Sequence, residues 1–105
     1  MRSAIPRTGA WCAGLALAAT VAVPAAAQDY PARAWAASCA ACHGTDGRST
    51  GAMPPLAGRP KADLLRAMQD FKSNKRSATI MHQHAKGYSD AELERIADYF
   101  SKVSR

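Results

Sequence analysis

The stretch Cys39-Ala40-Ala41-Cys42-His43 decides how this chain folds. Its two cysteines lie three positions apart, and a histidine directly follows the second one. Within one helical turn, two thiols at this spacing can reach the two vinyl groups on neighbouring pyrroles of a haem, while the next residue is carried beneath the iron. The stretch therefore predicts one covalently attached haem c, bound through Cys39 and Cys42, with His43 as the proximal iron ligand.

Three other uses of such a cysteine pair fit this sequence less well. A zinc site needs two more Cys or His ligands at paired spacing, and the only other histidines, His82 and His84, lie far downstream. A thioredoxin-like redox pair is expected within a βαβ pattern, and no segment here alternates like a strand. A structural disulfide between Cys39 and Cys42 would leave His43 without a role.

The N-terminal segment indicates export to the periplasm. Arg2 and Arg7 form a basic region, and the uncharged stretch 11–23 has 13 residues, fewer than the ~20 of a membrane-spanning helix. Small residues at 25–27 suit a signal peptidase, so we predict that residues 1–27 are a cleaved signal peptide with no membrane anchor left behind. Retention of the segment as a membrane tether is the alternative.

Cleavage changes what the remaining chain can do. It removes Cys12, so that Cys39 and Cys42 are the only cysteines left in an oxidising compartment, where they must pair, bind a group or react. Residues 28–105 then carry 12 basic and 8 acidic side chains, a net charge of +4 before the haem propionates. A chain this short has a marginal core, and a covalent haem would serve as the centre of that core.

The secondary structure is predicted to be all-α, with three main helices in a single domain, residues 28–105. The first helix is expected from about Pro31 through Cys42, ending at Gly44. The second is expected over 61–73, and the third follows the capping-box sequence 89–92. The apolar stripes of the last two helices are Leu64, Leu65, Met68 and Phe71, and then Leu93, Ile96, Ala97, Phe100 and Val103.

Across nearly all of this domain the sequence resembles a class I cytochrome c. A helix leads into the haem motif, Pro54-Pro55-Leu56 follows, and a Met-bearing loop and a C-terminal helix with aromatics complete the order. The resemblance implies the class I fold wrapped around one haem. It also implies that the Pro54 carbonyl accepts a hydrogen bond from the His43 ring and that Leu56 packs on the haem.

Three methionines and two histidines compete for the sixth position on the iron. Met68 lies on the apolar face of the second helix, and Met53 precedes the Pro-Pro-Leu element on the proximal side. Met81 lies between the second and third helices, where the family has its distal methionine, so we predict Met81 as the ligand. Its thioether would raise the reduction potential relative to a second imidazole. His82 or His84 could replace it; otherwise we expect both to be exposed residues on a mobile loop.

Within the family, the stretches 71–73, 78–81 and 85–89 are most similar to the haem subunit of flavocytochrome c sulfide dehydrogenases. That similarity implies an electron-transfer subunit docked on an FAD-containing flavoprotein that oxidises a sulfur compound. Cytochromes of the c4 and c5-like groups share part of the pattern, so a free-standing carrier serving an oxidase or reductase is the alternative. A ligand-binding haem sensor with a vacated sixth site is a weaker alternative.

Charge and chemistry limit the partners. Lys72, Lys75, Arg76 and Lys86 predict a basic rim that steers docking to an acidic partner surface, with an ordinary solvated face as the alternative. Export and the lack of aromatic residues among the basic ones argue against nucleic-acid binding. Because no nucleophile and base stand together in the sequence, we expect an electron-transfer protein without catalytic residues of its own.

Overall fold

The computed structural model describes residues 28–105, and the predicted signal peptide, residues 1–27, lies outside the described part of the chain. Five α-helices and one 3-10 turn make up the described region, with no strand among these residues. They are α1 (Tyr30–Ala37), α2 (Ala40–His43), the 3-10 turn (Thr45–Gly47), α3 (Lys61–Lys72), α4 (Met81–Lys86) and α5 (Asp90–Lys102). None of these helices is long and apolar enough to cross a membrane.

The three main helices are α1, α3 and α5, and they enclose a small apolar core. α5 packs against both α1 and α3. Its start is the predicted capping box, in which the Ser89 hydroxyl accepts from the Glu92 amide at 3.2 Å and the Glu92 carboxylate accepts from the Ser89 amide at 2.7 Å. The core cluster consists of Ala36, Leu64, Ile96, Ala97 and Phe100. The all-α class is therefore confirmed. Four residues of the predicted apolar stripes belong to this core cluster, namely Leu64, Ile96, Ala97 and Phe100.

The first predicted helix is interrupted just before the haem motif. At Ser38 and Cys39 the backbone amides bond three residues back, to the carbonyls of Trp35 and Ala36, at 3.2 and 3.0 Å. The Ser38 hydroxyl donates to the same Trp35 carbonyl at 2.8 Å, a side-chain bond that competes with the helical ladder. The expectation of one continuous helix through Cys42 is therefore wrong, because this tight turn separates α1 from α2.

The segment between α3 and α5 is also more ordered than the sequence indicated. Residues 81–86 form α4, which packs on α3 and places Ala85 in the interior with no exposed surface. His82 and His84 thus belong to a helix and not to a mobile loop, and only His84 is exposed. A helix of six residues is not stable by itself in water, and the burial of Ala85 supplies the tertiary packing that stabilises α4.

A polar clasp joins the start of the domain to α5. Asp29 caps α1 by accepting from the Ala32 amide at 3.1 Å, and the same carboxylate receives two hydrogen bonds from Arg95. The Arg95 guanidinium in turn lies 4.8 Å from the centre of the Trp35 ring. These contacts link α1, which leads into the haem motif, to α5.

Candidate haem site

The two cysteines of the motif stand at the ends of a single helical turn. Cys39 precedes α2 and is half-buried, whereas Cys42 lies on α2 and is exposed. The two thiols are not joined in a disulfide. Burial raises the pKa of the Cys39 thiol, so that this cysteine is protonated at neutral pH and is not a reactive thiolate. Two unpaired thiols on one helical turn are the arrangement that attachment of a haem through two thioether bonds needs.

His43 is the buried polar side chain at the end of this turn, with 7% of its surface exposed. Its Nδ1 lies 2.7 Å from the carbonyl oxygen of Pro54. Because a carbonyl can only accept, Nδ1 must carry the proton and donate, and this leaves the Nε2 lone pair available to a metal. The hydrogen bond expected from the class I resemblance is present, and the resulting tautomer is the one that an iron-binding histidine requires.

An open cavity of about 540 Å³ lies along the motif and the loop that follows it. Cys42 and Met53 both line this cavity, and Met53 has 45% of its surface exposed. Met53 therefore lies on the same side of the domain as the Cys39–His43 motif, as expected for a residue next to the Pro-Pro-Leu element. Leu56, two residues beyond Pro54, is half-buried and packs against the core cluster.

The candidates for the second axial position lie on α3 and α4. Met68 is half-buried on α3, and Met81 is the half-buried first residue of α4. His84 is exposed, whereas His82 is half-buried and its Nδ1 is enclosed without a hydrogen-bond partner in the described part of the chain. Sequence patterns offered no sign that the two histidines differ in burial.

Residues 28–105 form no zinc cluster. Among residues 28–105, no three His, Cys, Asp or Glu side chains come together as a metal-binding group. His82 and His84 therefore do not join Cys39 and Cys42 in such a site. The donor set that the fold offers is the one suited to haem, namely two thiols and a tautomerically fixed imidazole.

The structure removes one residue, Lys72, from the predicted basic rim. Lys72 is occupied, because its ammonium group donates to the Tyr88 carbonyl at 2.7 Å and to the Asp90 carboxylate at 2.9 Å. Lys75, Arg76 and Lys86 form no ion pair within residues 28–105. We call these three residues the basic rim from here on. No acidic residue occurs between positions 71 and 89 to offset it.

This chain belongs to the cytochrome c family, since the family model described as Cytochrome c matches residues 31–104. Members of the family carry covalently bound haem c and transfer electrons. Its C-x-x-C-H motif at residues 39–43 provides one site for covalent attachment of haem c.

Three named proteins are similar to it. The cytochrome subunit of sulfide dehydrogenase from Chlorobaculum tepidum is 44% identical over 68 residues, which are 65% of this chain and 62% of that protein. Cytochrome c4 from Pseudomonas aeruginosa is 43% identical over 70 residues, 66% of this chain and 35% of that protein. The thiosulfate dehydrogenase electron acceptor from Thiomonas intermedia is 39% identical over 70 residues, 65% of this chain and 32% of that protein. The matched region thus spans less than two thirds of each relative.

Proposed function

We propose that this chain is the haem subunit of a sulfide dehydrogenase-type complex, in which it accepts single electrons from an FAD-containing flavoprotein. The observation that carries the electron-transfer role is the 2.7 Å bond from His43 to Pro54, which leaves Nε2 free for iron. The 44% identity to the cytochrome subunit of sulfide dehydrogenase supports the choice of complex. The bound haem supplies a one-electron couple that the polypeptide itself lacks.

The residues that would hold this haem follow from their places in the fold. Cys39 and Cys42 bind it covalently from one turn of helix, and His43 binds the iron through Nε2. Leu56 packs on the core cluster and would also contact the haem, as the family resemblance implies. Since the chain is short, the haem and the core stabilise each other.

We assign Met81 as the second axial ligand. It begins α4, a helix anchored by the buried Ala85, so its position is fixed by packing and not by a loose loop. A thioether donor raises the reduction potential relative to an imidazole and suits a protein that receives electrons from a flavin. His82 is the competing ligand, because it is adjacent to Met81 and has a ring nitrogen without a partner among the described residues.

The docking surface for the partner would be the basic rim. Lys75 and Arg76 lie in the turn between α3 and α4, and Lys86 at the end of α4 reaches this turn by donating to the Asn74 side chain at 3.0 Å. Ile80, also in the turn, has 48% of its surface exposed. An exposed aliphatic side chain among unpaired cations is suited to a partner with an acidic patch around an apolar spot. Such charges mainly accelerate encounter and confer salt dependence.

We also propose that the protein works in the periplasm as residues 28–105, after removal of residues 1–27. The basic region, the short apolar stretch and the small residues at 25–27 support this processing. Cleavage before Gln28 would retain Asp29, which caps α1 and holds Arg95. The folded domain would therefore keep every contact at its N-terminal edge.

Purification of the tagged, exported protein from its own cells tests the complex. We expect it to elute in size-exclusion chromatography with a flavoprotein, with FAD and haem in a fixed ratio that high salt lowers. Elution of a haem-loaded monomer without FAD at low salt would contradict the proposal. That result would favour a free-standing carrier, which the similarity to cytochrome c4 and to a thiosulfate dehydrogenase electron acceptor supports.

A further inference from the structure

Two loop stretches meet beside the buried end of α5. The carbonyl of Gly47 accepts two hydrogen bonds, from the Leu56 amide at 2.8 Å and from the Ala57 amide at 3.1 Å. One residue further on, the Gly58 amide donates to the carbonyl of Phe100 at 2.8 Å. Three consecutive amides are thus tied down, and the backbone just after Pro54 has little freedom to move.

Gly47 makes this meeting possible because it has no side chain. Its φ of +72° lies in the left-handed region, where an L-residue is strained. A Cβ built on Gly47 would lie 2.9 Å from the Leu56 Cβ and 2.9 Å from the Phe100 ring. Both distances are shorter than real Cβ contacts, so any other residue would push apart the loop and α5.

α5 holds the same turn a second time through its neighbouring aromatic residue. The Tyr99 hydroxyl donates to the Asp46 carboxylate at 3.1 Å, and Asp46 itself has a positive φ of 52°. Two successive aromatic residues of α5 therefore fix two successive residues of the 3-10 turn, one by a hydrogen bond and one by close packing. A strained turn of this kind persists only because its surroundings determine it.

The hydrogen-bonded stretch 56–58 lies just after the residue that orients the haem ligand. Pro54 lies two residues before Leu56, and its carbonyl is the acceptor for His43. We propose that Gly47, held by α5, is a positioning residue that sets the hydrogen bond between His43 and Pro54 and thereby the reduction potential of the bound haem. This inference rests on the proposed ligation of the iron by His43.

The direction of the effect follows from the chemistry of imidazole. A donated Nδ1–H makes Nε2 a more basic ligand, and a more basic ligand favours ferric over ferrous iron. If the Gly47 carbonyl shifts, the Pro54 carbonyl moves away from Nδ1 and this stabilisation of the ferric state is lost. The potential then rises, and the Nδ1–H is less protected from solvent.

The test is made on the haem-loaded protein with Gly47→Ala. We expect the ratio of ferrous to ferric protein at a set potential to increase about tenfold, equivalent to ~59 mV for a one-electron couple. We also expect the His43 Nδ1–H to exchange faster with solvent in NMR spectra of the ferrous protein. Gly51→Ala is the matched control, because a Cβ at Gly51 meets nothing within 4 Å.

A second control separates positioning from stability. Ile96→Val loosens the core cluster without touching the turn, so it lowers stability but should leave both readouts unchanged. If Gly47→Ala yields no haem-loaded protein, Tyr99→Phe tests the proposal in its place, since it removes only the hydrogen bond to Asp46. It should shift the reduction potential and the Nδ1–H exchange rate in the same direction, but by less.

The proposal is overturned if Gly47→Ala has the reduction potential and the His43 Nδ1–H exchange rate of the wild type. If Gly47→Ala cannot be loaded with haem, the same result in Tyr99→Phe overturns it. Failure of the underlying ligation is recognised separately, by a wild-type absorption spectrum that His43→Ala leaves unchanged. That result would overturn both this inference and the proposed role of His43.

Discussion

Leu93 is a fully buried residue of α5 whose truncation tests the packing of this helix. Among residues 28–105 it is the largest fully buried side chain, and it lies on the helix that packs against both α1 and α3. Leu93→Ala removes three carbon atoms, which costs about 2.4 kcal/mol at ~0.8 kcal/mol per buried methylene. The cavity that remains brings the expected loss of unfolding free energy to about 3–4 kcal/mol.

Such a loss is large for a chain of this length, since 78 ordered residues typically provide about 4–12 kcal/mol of stability. Urea denaturation of the haem-loaded protein, followed by far-UV circular dichroism, measures it. Ile80→Ala is the matched control, because Ile80 is 48% exposed and should lose less than about 1 kcal/mol. Equal losses in the two variants would refute the packing of α5 described above.

Three further predictions concern the ligand, the clasp and the basic rim. Met81→Ala should abolish the weak long-wavelength absorption band of sulfur-ligated ferric haem and allow carbon monoxide to bind the ferrous form. An unchanged absorption spectrum would make His82 the second axial ligand or favour the ligand-binding sensor. Hydrogen bonds from Arg95 hold the pKa of Asp29 below 3.8, so Asp29 contributes stability above that pH which is lost as the pH falls through the lowered pKa. Asp29→Asn should therefore flatten the acid limb of the stability profile, and an acid limb as steep as that of the wild type would contradict this assignment. Lys75→Glu should slow association with the reduced partner several-fold at low salt and much less at high salt. Arg66→Glu, within α3 and outside the basic rim, should change the association rate little. Equal slowing by both substitutions would exclude a localised docking site.

Local chemistry explains which parts of the fold and site were predictable. The Cys39 to His43 spacing reflects a demand of the cofactor within one helical turn, and the Ser89–Glu92 box satisfies helix-end donors within four residues. The bond from His43 to Pro54 spans eleven residues and came from the family resemblance, not from spacing. Sequence patterns confined to one helical turn, and contacts shared by a known family, can therefore be predicted from the sequence.

The features that the sequence did not reveal depend on tertiary contacts. α4 packs on α3 and has Ala85 buried. Lys72 leaves the basic rim because its ammonium group lies 2.9 Å from the carboxylate of Asp90, eighteen residues away. Gly47 belongs to no motif in the sequence, and its closeness to Phe100 arises only when α5 folds back over the loop. Each of these outcomes is decided by a partner distant in sequence.

Electron delivery to the haem is the central claim, and rapid mixing tests it most directly. The purified ferric protein is combined with its candidate FAD-containing partner, sulfide is added, and ferrous haem is followed by its absorption bands. We predict haem reduction that requires both the flavoprotein and sulfide and that slows as salt screens the basic rim. Haem reduction at the same rate without the flavoprotein, or none in its presence, would contradict the proposed role as its haem subunit.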